Sequence, residues 1–146
     1  MSKRRTPEML YEGLGFPVVL IGFDTRVVRG VKVPDINLDQ LQKVAFEGLI
    51  VNPARFSGAE VAFIRSYMGY TQVEFAKLLN LANHSIVSIW EKKGLKGTGM
   101  DFNTETLLRL NMARTIRKAL VDQVLESCSS AADISKKPEP IRLSAA

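Results

Sequence analysis

Cysteine and histidine are almost missing from this chain: Cys128 and His84 are the single examples among 146 residues. One thiol excludes a disulfide framework and any Cys-based zinc site built by this chain alone. A metal site or Cys–His catalytic pair would have to join His84 to Cys128 far along the chain, so no metal and no cofactor are expected, and Cys128 is read as an ordinary thiol near a helix end. Long apolar runs are lacking as well. The stretch Phe16–Phe23 is interrupted by Pro17 and Gly22 and follows Glu8 and Glu12, a poor signal sequence. Nothing approaches the ~20 apolar residues of a membrane-spanning helix, so a cytoplasmic protein without a membrane partner is expected. The glycines of GLKGTG, Gly94 to Gly99, lack the GxxxxGK[ST] order and follow a helix-like segment, which predicts a mobile loop or wing rather than a nucleotide cradle. The carboxylates fall at caps and on solvent faces with no acid–base pair, so no enzyme is expected.

What is present suits one modest core plus tails: 46% of the residues are hydrophobic and the formal net charge is +5. A positive balance is compatible with a polyanionic partner. Between His84 and Lys118 seven cations (Lys92, Lys93, Lys96, Arg109, Arg114, Arg117 and Lys118) face only Glu91, Asp101 and Glu105. A solvated basic surface is the plainer account of the same excess.

Residues 1–10 read as a flexible basic arm, being polar, without period and broken by Pro7. The Val- and Ile-rich segment from Phe16 to Ile36, interrupted at Asp24-Thr25 and Gly30, predicts two or three short strands in a hairpin or meander. Asn37 with Gln40 caps a helix over Leu38 to about Ile50, whose apolar face is Leu38, Leu41, Val44, Ala45 and Leu49, with Phe46 at its edge. Asn52-Pro53 breaks the chain, and Ser57 with Glu60 forms a capping box for a helix over Gly58–Met68, closed by Gly69. A long helix is expected from about Thr104 to Leu125, with Leu108, Met112, Ile116, Leu120 and Val124 at steps of four; the stripe is wide enough for core and dimer contact together, a purely internal helix being the plainer alternative. From residue 128 the Ser, Ala, Lys and Pro content predicts a disordered tail. The expected domain plan is therefore an arm (1–10), a strand-and-helix extension (11–52), a helical domain with its C-terminal helix (53–127) and the tail (128–146).

Between these segments lies Thr71–Gly94, TQVEFAKLLNLANHSIVSIWEKKG. Thr71 with Glu74 is a capping box, and Phe75, Ala76, Leu78 and Leu79 share one side of a short helix. Asn80 tolerates a left-handed C-cap. A second helix then carries Ile86, Val87 and Trp90 at spacings of three and four, with Lys92 and Lys93 at its C-terminal end and Gly94 after it. Two registers compete. Counted from Gln72, Ile86 and Ile89 are buried and Ala82 is the cap; counted back from Trp90-Glu91, Val87 and Trp90 are buried and Asn83 is the cap. The second is preferred, because Asn caps well, Ala caps poorly, and a large aromatic needs anchoring.

EVAFIRSYMGYTQVEFAKLLN and SIVSIWEKKG together resemble the Xre family of Cro- and repressor-like helix-turn-helix regulators. The shared features are Ile64-Arg65, Gly69 before Thr71-Gln72, Glu74-Phe75-Ala76 and Trp90-Glu91, over residues 57 to about 110. YEGLGFPVVLIG and PDINLDQLQKVAFEGL look like the strand-and-helix extension of a bacterial subgroup that includes antitoxin-like autoregulators; some relatives carry a zinc module with paired CxxC motifs, which this chain lacks. The resemblance implies a mainly α fold: a five-helix repressor-like domain, with the small β-hairpin or meander and helix before it and the long helix after. It implies a homodimeric, sequence-specific DNA-binding regulator reading the major groove of double-stranded DNA with a helix at about 84–92. The alternative is an antitoxin-like interaction module for a toxin-like protein. In the preferred register Asn83 stands at the tip, His84, Ser85 and Ser88 face outward with base-edge donors and acceptors, and Ile89 suits a thymine methyl. Gln72 matches the family's phosphate- or base-contacting Gln, and Lys92, Lys93 and Lys96 are candidates for phosphate contacts.

Overall fold

In the computed structural model, residues 7–116, 124–127 and 139–145 are described. Four short strands come first: β1 (Glu8–Tyr11), β2 (Val18–Ile21), β3 (Thr25–Val28) and β4 (Val31–Pro34). Five helices follow, α1 (Leu38–Val51), α2 (Gly58–Met68), α3 (Gln72–Leu78), α4 (Ser85–Lys92) and α5 (Phe102–Ile116), and then β5 (Ile141–Ser144). A further helical turn covers residues 124–127.

The strands form two sheets. β2 is central in the order β1-β2-β5, antiparallel to β1 and parallel to β5, with Val18 opposite Ile141 and Leu20 opposite Leu143. Alternation places Val18, Leu20, Ile141 and Leu143 on the buried face, as a sheet with one covered side requires. Helix α1 lies against β5, and Leu143 rests on Gly48, where a Cβ would come within 2.6 Å of Leu143 Cδ2. The second sheet is the β3–β4 hairpin, Val28 opposite Val31, turned by Arg29 and Gly30 in the left-handed region (φ 50° and 78°). That is the geometry of a two-residue hairpin loop.

The fold is thus α+β and not mainly α. Two segments expected to lack structure supply the difference. The arm assigned to 1–10 contains most of β1, because Met9, Leu10 and Tyr11 alternate beside β2; the tail assigned to 128–146 contains β5, whose Ile141 and Leu143 finish the covered face. A four-residue IRLS alternation is too short to stand out in a Ser- and Pro-rich tail. Residues 1–6, Arg117, Lys118, Leu120, Cys128 and residues 129–138 lie outside the described residues.

Helix limits follow their local signals. Asn37 Oδ1 accepts the Gln40 N–H at the start of α1 (2.8 Å), and Ser57 with Glu60 forms the reciprocal box at α2. Gly69 leaves α2 at φ 78°, with the Tyr70 N–H returning to the Arg65 carbonyl. One apolar cluster joins the extension to the later helices, with Phe16 edge-on to Phe63 and Phe46 stacked on Tyr67 at 4.4 Å between ring centres. Leu108 and Met112 of the long-helix stripe are buried in it, and Ile116 is half-buried.

Arg109, counted above in the basic excess, is not at the surface. It is fully buried over the Phe56 ring and donates to the Leu49 and Ile50 carbonyls (2.9 and 3.0 Å) and to Ala54 O (2.8 Å). α5 therefore caps the C-terminus of α1, which has no cation of its own in its last turn. Glu105 beside it accepts the Phe56 N–H (2.8 Å) and pairs with buried Arg55. Among the described residues no helix is long and apolar enough to cross a membrane.

Candidate nucleic-acid interface

The pair α3 and α4 is held by terminal hydrogen bonds before any packing is counted. Thr71 Oγ1 accepts the Glu74 N–H (3.1 Å), one half of the expected box. At the other end of α3, Asn80 is left-handed (φ 55°), its N–H bonded to Lys77 O and the Leu81 N–H to Ala76 O. This is a Schellman arrangement with asparagine where glycine is commonest. The chain enters α4 through Asn83, whose Oδ1 accepts the Ser85 N–H at 2.9 Å, and Asn83 O and His84 O accept from Ile86 and Val87 in a tight first turn.

Burial decides between the two registers. Val87 is fully buried and Trp90 is 7% exposed, whereas Ile89 is 56% exposed and Ile86 is half-buried. The N-cap position itself falls on His84, whose side chain makes no cap hydrogen bond; Asn83, expected there, instead accepts the Ser85 N–H from one residue earlier, and Ala82 lies exposed in the turn. The longer turn between Leu79 and Asn83 is accommodated by the left-handed residue Asn80.

The predicted contact residues do not all share one surface. Ser85, Ile89 and Lys92 are exposed on one face of α4, opposite Val87 and Trp90, with Ser88 half-buried at its flank. Asn83 and His84 are exposed in the turn that leads onto this face. Lys93 is turned away: its Nζ donates to Thr98 O at 2.7 Å, closing the loop behind α4. Lys96 is exposed on that loop, outside the helix. The loop itself is bonded down, contrary to the mobile wing expected: Gly58 and Ala59 donate to Lys96 O and Gly94 O, the Thr98 N–H reaches Phe56 O, and Thr98 and Met100 are buried. Gly58 is required there, since a Cβ would stand 2.2 Å from Trp90 O.

Gln72 is half-buried, and its Nε2 donates to Glu91 Oε2 at 2.6 Å. Glu91 also takes Arg65, with Nε to Oε1 at 2.7 Å and Nη2 to Oε2 at 3.4 Å, and Arg65 Nη1 reaches Tyr70 O at 2.9 Å. A single carboxylate on α4 thus fastens α2 and the start of α3. With side chains 21% and 11% exposed, this forked pair is shielded from much of the screening that weakens surface ion pairs. Sequence reasoning singled out Arg65, Gln72 and Glu91 separately but did not place them together. The opposite charges of Arg65 and Glu91, the neutral amide donor of Gln72 and the helical phase of each on its own segment were the available signal.

No family model, curated protein or solved structure matches the chain. The geometry of α3 and α4 therefore carries the functional reading. Among the described residues no three His, Cys, Asp or Glu side chains gather as a metal site. Two clefts among the described residues lie away from this face: about 540 Å³ between the end of α1 and the segment leading into β5, and about 570 Å³ at the foot of the β3–β4 hairpin.

Proposed function

We propose that the chain is a DNA-binding transcriptional regulator in which α3 and α4 act as a helix-turn-helix, the reading to which the Xre resemblance also points. The observation that carries it is the outer face of α4. Ser85, Ile89 and Lys92 are exposed together on a short helix fixed from behind by Val87, Trp90 and the Glu91 contacts. A short helix held rigidly at its back, with small polar groups at its N-terminal end, suits insertion into a major groove. Asn83, His84, Ser85 and Ser88 would meet base edges, Ile89 a thymine methyl, and Lys92 and Lys96 the phosphates. Gln72 would offer its remaining amide hydrogen at the N-terminus of α3, where free N–H groups also favour a phosphate.

The protein would act in the cytoplasm as a homodimer on a partly palindromic operator, its two α4 helices meeting half-sites about 34 Å apart. The test is a fluorescence-anisotropy titration against duplex DNA from upstream of its own gene. Binding about a thousandfold or more tighter than to a random duplex at physiological salt is expected. Equal affinity for the two, even at low salt, would sink the proposal.

A further inference from the structure

The β3–β4 hairpin has no evident place in the packing of the molecule. All four residues of β3 are exposed, as are Val31 and Lys32 of β4; only Val33 and Pro34, at its foot, enter the body. Val27 is 70% and Val31 61% exposed, with Val28 at 44%. Single exposed valines are ordinary, but here Val28 and Val31 pair across the strands on one face while Val27 lies beside Lys32 on the other, so both faces of the ribbon show apolar surface that needs an account. The same ribbon, Thr25 to Pro34, carries Arg26, Arg29 and Lys32 and no acidic residue. Asp24 and Asp35 stand at its foot, where the Asp35 N–H closes on Asp24 O. Arg26 lies 3.9 Å from Asp35, and among the described residues Arg29 and Lys32 make no ion pair, although Lys32 lines the cleft that also holds Glu8, Asp24 and Asp35. Arg29 holds the tip in a left-handed conformation that Gly or Asn would adopt at less cost.

We propose that this hairpin is a second DNA contact, a two-stranded basic ribbon laid into a groove of the duplex beyond the site read by α4. The inference rests on the reading of the chain as a DNA-binding protein. Charge selects the occupant. Three cations without an anion between them suit phosphates, whereas a second copy of the hairpin would set like charges against each other. A two-stranded ribbon fits a duplex groove, with the arginines and the lysine reaching the backbone on either side and the paired Val28 and Val31 against sugars and thymine methyls. Such contacts strengthen binding to any sequence and leave discrimination to α4.

The experiment compares the full-length wild-type chain, the variant Arg26→Gln/Arg29→Asn/Lys32→Gln and the variant Ser85→Glu. Each is titrated by anisotropy over a series of salt concentrations against the upstream duplex and a random duplex. The triple variant removes charge at exposed positions and keeps a left-handed-tolerant residue at the tip, and circular dichroism melts verify that it folds. The expected result is a log–log salt slope shallower by about 2 to 3 for the triple variant on both duplexes. Ser85→Glu is expected to lose preference for the upstream duplex while the hairpin's share of the slope remains. An unchanged slope in a folded triple variant overturns the hairpin contact, and leaves the α4 reading standing if Ser85→Glu still loses discrimination. A shallower slope with Ser85→Glu indistinguishable from wild type supports the hairpin and removes the α4 reading. Wild-type protein that binds neither duplex overturns both.

Discussion

Glu91 shows how much one side chain settles here. It receives Arg65 from α2 and Gln72 from α3, so the outer face of α4 is fixed by a carboxylate on the helix's inner side. Glu60 is a second informative carboxylate. It closes the box at the start of α2, and burial pushes it above its ordinary 4.5, against the lowering pull of its hydrogen bonds with Ser57 and of Arg109. A raised value means that the folded chain holds this proton more tightly than the unfolded one. The stability it contributes is full below pH 4.5 and is lost as pH rises through the folded value. Glu60→Gln keeps an acceptor for the Ser57 N–H and has no charge to bury. In urea denaturation its stability relative to wild type should therefore improve from pH 4 to pH 8. A wild type that gains on the variant over that range would show that Ser57 and Arg109 outweigh burial.

Among the elements, helices were more legible than strands. Ser57 with Glu60, Asn37 with Gln40 and Thr71 with Glu74 mark helix starts by local chemistry that neighbouring segments do not alter, and the limits of α1 and α2 agree with them closely. Strand β5 depends instead on pairing with β2, more than a hundred residues away, and its four residues carry too little alternation to stand out. Leu143 is 4% exposed and seated on Gly48, so Leu143→Ala should cost about 2 to 5 kcal/mol in equilibrium unfolding. An unchanged unfolding midpoint would mean that the C-terminal strand is not docked.

At the scale of the whole molecule, the extension and the later helices share one core through Phe16, Phe46, Phe63 and Tyr67, and α5 seals the end of α1 with Arg109. The sequence count of cations could not distinguish Arg109, spent on buried carbonyls, from Lys92 and Lys96 at the surface, because charge type does not report burial. It was similarly blind to Lys93, which turns back to Thr98. The buried positions of α4 were legible, since a large aromatic such as Trp90 needs anchoring, although its N-cap falls on His84 and not on Asn83; the joining of Arg65, Gln72 and Glu91 was not legible, because it depends on how three helices meet. The central claim is that the face bearing Ser85, Ile89 and Lys92 meets DNA. Amide-resolved NMR of the full chain, titrated with the upstream duplex, tests it most directly: the largest shifts should fall at Gln72 and at residues 83 to 89, and silence there while the duplex is bound would contradict it.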